Sequence, residues 1–362
     1  MKYVVDITQE QAQTIRKLIN EGKYKNFAQF ILNSIENQIY IENQMQDEPN
    51  FEENIQISNI TLKGIKSDKG TKSYKDEINL TNIKNNPICV STPSFSDLGY
   101  STKNDVSEDN TWIWGQVNRI LPIKIGLRVL LAIIKNEQWI LLEEFSKTAA
   151  NYAANLGTYL RVIEDKKNIS RENRISTGLP DINSYKSIMR YKSHFLAYIR
   201  KDNKYDGAMP YLKFVNLKKT DKGTDMIGMT KHGLSFAKFE NPVIDLKDYT
   251  QSLSNQEIEF YLYHASQNVK GEYNAINWLL DTLKTNPVNR EGINDLLKEE
   301  YGSIWQASVA VINTQRSGLM ARMFELNLIE KEKQGITVKY NITSFGEKFF
   351  QNKSKLRKLN HG

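Results

Sequence analysis

The sequence predicts a mainly α protein with small β elements. A strand–helix–helix unit opens it, an acidic linker follows, and two similar helical bodies each end in a hairpin. Three observations carry this reading. Lys2–Thr8 divides its side chains between two faces, one wholly apolar, with the period of a half-buried strand. Apolar stripes at helical spacing recur after them. The pattern apolar-Thr-x-x-Gly-x-x-Phe occurs twice, at 229–236 and 342–349, each time after a candidate hairpin. The expected divisions are 1–42, 43–110, 111–250 and 251–362.

Tyr3, Val5 and Ile7 share one face of the first strand, and Lys2, Val4 and Asp6 the other. Thr8 is placed to cap a helix over about 9–21, whose stripe is Ala12, Ile15, Leu18 and Ile19. Gly22 suits the left-handed position that ends it. Asn26 starts a second helix over about 27–42, with Gln29 at capping-box spacing and Phe27, Phe30, Ile31, Ile35 and Ile39 as its stripe. Forty-two residues bury too little to stand alone. Without Cys or His here to supply a disulfide or a metal, a partner chain is expected.

This segment resembles the ribbon-helix-helix family of MetJ/Arc/CopG type. Tyr3-Val4-Val5-Asp6-Ile7-Thr8, the Gly22-Lys23-Tyr24 turn and the Asn26-Phe27-Ala28-Gln29-Phe30 helix start carry the resemblance over about an eighth of the chain. It implies a homodimer through the N-terminal strand, whose two-stranded ribbon enters the major groove of double-stranded DNA. Lys2, Val4 and Asp6 would then face the bases, and the backbone amides at Asn26 would hold a phosphate. Asp6 departs from the basic or amide-bearing trio usual there. That makes the unit a firmer expectation as a dimeriser than as the sole DNA reader.

Residues 43–110 hold seven Lys against eleven Asp or Glu, a net −4 within a chain of net +7, so the other segments carry +11. Their polar, aperiodic composition predicts a flexible, disordered linker. Basic bodies joined by an acidic linker suit a nucleic-acid binder, although a Lys-rich surface alone would give the same net charge.

The first body opens at Thr111-Trp112-Ile113-Trp114. Pro122 at a first helical turn and Ile123, Leu127, Leu130, Leu131 and Ile134 predict a buried helix. A short strand at 139–141 follows, then one long helix or two over 143–166, a polar loop over 166–180, a helix over 185–201, and strands at 211–217 and 225–230. The second body has a Ser254/Glu257 cap, helices over 272–285, 289–300 and 304–326 (the last continuous or broken), and a hairpin of 328–333 with 337–342 about Gln334-Gly335. In each repeat Thr would cap the closing helix, Gly would permit close packing, and Phe would plug the core. Helices followed by a hairpin and this Thr-x-x-Gly ending resemble winged helix-turn-helix regulators, here in tandem.

That resemblance directs attention to two cationic surfaces. Lys186, Arg190 and Lys192 lie on the 185–201 helix, and Lys218, Lys219 and Lys222 at the tip of the first hairpin. Such side chains would grip the phosphate backbone without choosing a sequence. In the second body Arg316 and Arg322 would do the same, with Asn313 and Gln315 near enough to read adenine edges. Glu325, Glu330 and Glu332 would oppose this, leaving the second body a DNA surface or a protein-contact surface.

No catalytic constellation, cofactor motif or metal set is expected. The four His are scattered, Cys89 is single, and no phosphate-binding glycine loop is present. Asp245-Leu246-Lys247 has the acid-x-Lys spacing of metal-dependent nucleases, a spacing common by chance. The five Trp are expected in the core. No apolar run is long enough for a membrane span, and a cytoplasmic location is the default for a single Cys. The expected function is therefore a dimeric DNA-binding protein, a transcriptional regulator. The alternatives are a replication, partition or defence-system subunit, and a dimeric scaffold or adaptor that does not bind DNA.

Overall fold

The computed structural model describes residues 9–21, 24–31, 34, 106–135, 137–285, 289–334 and 337–359. The expected N-terminal strand, with Lys2, Val4 and Asp6, lies outside the described residues, as do 43–105 of the expected linker. Among the described residues the protein is mainly helical with small antiparallel sheets. No described helix is long and apolar enough to cross a membrane.

The N-terminal unit contains α1 (Gln9–Asn20), with Ile15 buried and Ala12, Leu18 and Ile19 half-buried along its stripe. Asn26 caps the next helical segment. Its Oδ1 accepts the Gln29 amide at 2.9 Å, and Gln29 Oε1 accepts the Lys25 amide at 2.6 Å. Phe27, expected in the second stripe, is exposed, while Phe30 packs edge-on to Tyr24.

The larger unit begins with a 3-10 turn at Glu108–Asn110, inside the segment expected to be linker. Trp305 Nε1 donates to the Asn110 carbonyl and Asn274 Nδ2 to that of Asp109, so the turn is stitched to the body. Then come α2 (Leu121–Ile134), β1 (Ile140–Leu141) and α3 (Leu142–Lys166), the last a single helix. Ala149, Ala150, Ala153 and Ala154 are buried on α3, which packs on α2. After the 166–180 loop, α4 (Tyr185–Arg190) runs into a π-helical turn at Tyr191–Leu196 and stops.

The helix expected to reach residue 201 is thus cut short. β2 (Tyr198–Ile199) and β3 (Tyr205–Asp206) form a small hairpin instead. Its turn is made by Asp202, whose carboxylate accepts the Lys204 amide, and by Asn203 at φ 59°. Short Asp and Asn side chains favour such a turn over a continued helix. A four-residue helix, α5 (Ala208–Tyr211), leads to β4 (Val215–Lys219) and β5 (Asp225–Met229). β5 lies between β4 and β1, all antiparallel. α6 (Lys231–Lys238) closes this half.

The second half has α7 (Asn255–Asn268), α8 (Lys270–Thr285), α9 (Arg290–Tyr301) and α10 (Val309–Glu325). The hairpin of β6 (Ile329–Gln334) with β7 (Thr337–Ile342) and the helix α11 (Ser344–Leu359) complete it. The Ser254/Glu257 capping box forms as its spacing predicts.

The repeated motif builds the same joint twice. Lys213 and Asn327 both take the left-handed conformation, at φ 56° and 55°. The amides of Phe214 and Leu328 reach back five residues, to the Met209 and Met323 carbonyls, each at 3.0 Å. This is the Schellman ending of a helix, immediately followed by a strand. Across each hairpin, the Thr230 and Thr343 amides donate to the Phe214 and Leu328 carbonyls at 3.0 Å. Phe236 is buried, and Phe349 packs against the core.

The two expected halves share one continuous core, running from Trp112 to Tyr340. Buried ion pairs cross between them. Lys124 on α2 meets Glu257 on α7 at 2.8 Å, both fully buried, and Asn241 Nδ2 also donates to Glu257. Arg322 on α10 is held by both oxygens of Glu272 on α8 and donates to the Val117 carbonyl. Such pairs tolerate burial only when fully partnered. Asp245, of the nuclease-like tripeptide, is committed to Arg128 at 2.5 and 2.9 Å, and lies in a π-helical turn, Pro242–Leu246.

Candidate nucleic-acid interface

The first cationic surface is the β4–β5 hairpin. Its turn at 220–224 is closed by the Gly223 amide on the Thr220 carbonyl, with Gly223 at φ 78°. Lys218, Lys219 and Lys222 are all exposed. Lys218 Nζ stands 4.3 Å from the centre of the Trp139 ring, so this Trp, expected in the core, is a partly exposed platform beside β1. Lys219 pairs with Asp225 at 3.6 Å, a solvent-screened contact.

On α4, Ser184 caps the helix by accepting the Ser187 amide, Lys186 is exposed and Arg190 half-buried. Lys192 falls in the π-helical turn. Burial lowers its pKa, Glu143 opposes that shift and Lys147 adds to it. His194, also in that turn, is brought down to about 4 by burial and then by Arg190, which keeps it neutral. Arg200, expected on the same helix, instead pairs with Asp206 at 3.4 Å in the β2–β3 hairpin, and burial raises Asp206 to about 6.

The second body divides the residues expected to bind DNA. Arg322 does not reach a surface: it is 1% exposed and its fork is filled by Glu272. Gln315 is buried, and Asn313 accepts from Asn294 Nδ2 at 2.8 Å. Arg316 is half-buried, like Asn313, and faces a cleft. It donates to Asn294 Oδ1 at 2.8 Å, and the cleft, of 710 Å³, lies beside α10 and the β6–β7 hairpin.

Sequence reading did not find the other cations of this cleft. Arg119 precedes α2, Arg171 sits in the 166–180 loop, and Arg290 opens α9. They come from segments up to 171 residues apart (290 − 119) and share no local pattern. Among the described residues, none of Arg119, Arg171, Arg290 and Arg316 forms an ion pair with a carboxylate. Burial first, and Arg290 second, lowers the Arg316 pKa to about 10.

Of the three acids expected to repel phosphate, Glu325 and Glu330 line this cleft. The Glu325 carboxylate accepts the Ile120 and Leu121 amides at the start of α2, and burial raises its pKa. Glu332 accepts from Asn341 Nδ2 at 2.7 Å. Glu172 bridges to Lys331 at 2.7 Å, which lowers its pKa, and its carbonyl accepts from Arg119 at 3.0 Å.

Comparison with protein-family models, with curated proteins and with solved structures gives no match.

Proposed function

We propose that this chain is a DNA-binding protein of the transcriptional-regulator class, dimeric through its N-terminal strand. In this reading 1–42 is a ribbon-helix-helix unit, 43–110 a disordered linker, and the two halves of the larger unit are winged-helix modules. One observation supports it above the others. The elements run α2, β1, α3, α4, β4, β5, with β1 pairing to β5, and the hairpin ends in exposed Lys218, Lys219 and Lys222. That order is the one a winged helix would need, if the small β2–β3 hairpin and α5 are taken as an insertion ahead of the wing. Lysines at a wing tip reach the phosphate backbone, and Lys186 and Arg190 on the preceding helix supply further contacts.

The test is binding of the full chain to random-sequence duplex across a salt series. A slope of log affinity on log salt near −0.9 per phosphate contact is expected. Alanine at Lys186, Arg190, Lys218, Lys219 and Lys222 together should flatten that slope. Absence of binding at low salt overturns the proposal. Selection of bound genomic fragments then separates regulation from a replication, partition or defence role, because regulatory sites fall beside promoters. Val5→Asp should abolish the dimer.

A further inference from the structure

We infer that the arginine cleft beside α10 is a binding site for a small polyphosphate ester of nucleotide size, separate from any duplex surface. Its volume of 710 Å³ falls within the range of small-molecule sites, about 300–1,000 Å³. Arg119, Arg171, Arg174, Arg290, Arg316 and Lys331 line it against Glu172, Glu325 and Glu330, so the cations are in excess by three. Like charges gathered around a partly closed hollow repel one another, and an anion between them removes that cost. Guanidinium forks match phosphate oxygens two by two, so several arginines select a ligand with more than one phosphate group. Ile258, Met320 and Phe324 add an apolar stretch of wall on which a base or another flat body can lie.

The same geometry argues against a duplex here. A helix that reads DNA must be free to enter a groove about 12 Å wide. The outer face of α10 instead shares the cleft with the 171–177 loop. That loop is fastened by the Glu172–Lys331 pair at 2.7 Å and by Arg119 on the Glu172 carbonyl. Arg316, expected to touch DNA, thus belongs to a ligand site.

The experiment is titration calorimetry of the full chain with inorganic pyrophosphate and with ATP, each alone and again after saturation with a short random duplex. One ligand per chain is expected. ATP should bind more tightly than pyrophosphate, because only ATP meets the apolar wall. Arg316→Gln and Arg290→Gln should each weaken ATP at least tenfold while melting like the parent protein, and Lys270→Gln, an exposed charge outside the cleft, should leave it unchanged. ATP affinity unaltered by bound duplex supports the assignment. Displacement of ATP by duplex, or equal ATP affinity in all three variants, overturns it.

Discussion

Thr230 and Thr343 do the same work in two hairpins of one protein. Each side-chain oxygen accepts the amide of a glycine three residues on, at 3.1 and 3.0 Å, and each hydroxyl donates back across the hairpin base, to Lys213 and to Asn327. The two joints are superposable in hydrogen bonding, in left-handed residue and in helix ending.

The first prediction concerns the glycines of that joint. A Cβ on Gly233 would stand 2.0 Å from the Phe214 carbonyl oxygen, and one on Gly346 2.2 Å from that of Leu328. These oxygens belong to backbone already bonded across the hairpin, so they cannot yield. Gly233→Ala and Gly346→Ala should each destabilise by about 1–3 kcal/mol, as overpacking of a close contact does. Thermal melting checks this, and an unchanged midpoint for either would refute the equivalence of the joints.

A second prediction separates Arg316 from Arg322. They lie six residues apart on α10, about 120° around the helix. Replacing Arg322 by Met leaves Glu272 buried without its partner, an expected loss of about 3–5 kcal/mol. Replacing Arg316 by Gln removes no ion pair and should cost little stability. Denaturant unfolding of the two variants decides, and similar midpoints would contradict the burial of Arg322.

The third prediction is acid sensitivity. His264 is 1% exposed, with Nε2–H donating to the Leu212 carbonyl at 2.7 Å and Nδ1 accepting from Asn268 at 3.2 Å. Burial is the largest influence and brings its pKa from 6.5 to about 4, against the raising effect of the Leu212 bond. Below pH 6.5 the unfolded chain takes up a proton that the folded one refuses. Stability is therefore full above that pH and falls as the pH drops towards about 4, by about 3 kcal/mol for this residue. His194 contributes with the same sign. His264→Gln should flatten the fall of the melting point between pH 6.5 and 4 without abolishing it.

A fourth prediction follows from the shared core. A chain ending at residue 250 would strand Lys124 without Glu257, and one beginning at 251 would leave Arg322 without the Val117 carbonyl. Neither fragment should fold alone, and residues 106–359 should melt in one transition. Two separated transitions would refute this.

Local signals were legible in the sequence and long-range ones were not. The Thr-x-x-Gly joints and the Ser254/Glu257 box depend on residues within a few positions of one another, so spacing alone located them. The end of α4 was missed because Phe195, Leu196 and Ile199 stay buried whether the backbone is helix or strand. The only signal of the break was Asp202-Asn203. The cleft was invisible for another reason: its arginines are separated by whole elements, and an isolated Arg in a polar loop reads as solvated surface. Helical spacing also gave no means of telling the cleft-facing Arg316 from the buried Arg322.

The single core has a consequence for any duplex that both hairpins grip. Two prongs rising from one continuous core are tied to each other, so the protein itself would set the rotational phase between their footprints. Inserting half a helical turn of DNA between the footprints would move one of them to the far side of the double helix and forfeit its contacts. Inserting a full turn would restore the facing but lengthen the span, which the shared core would have to follow.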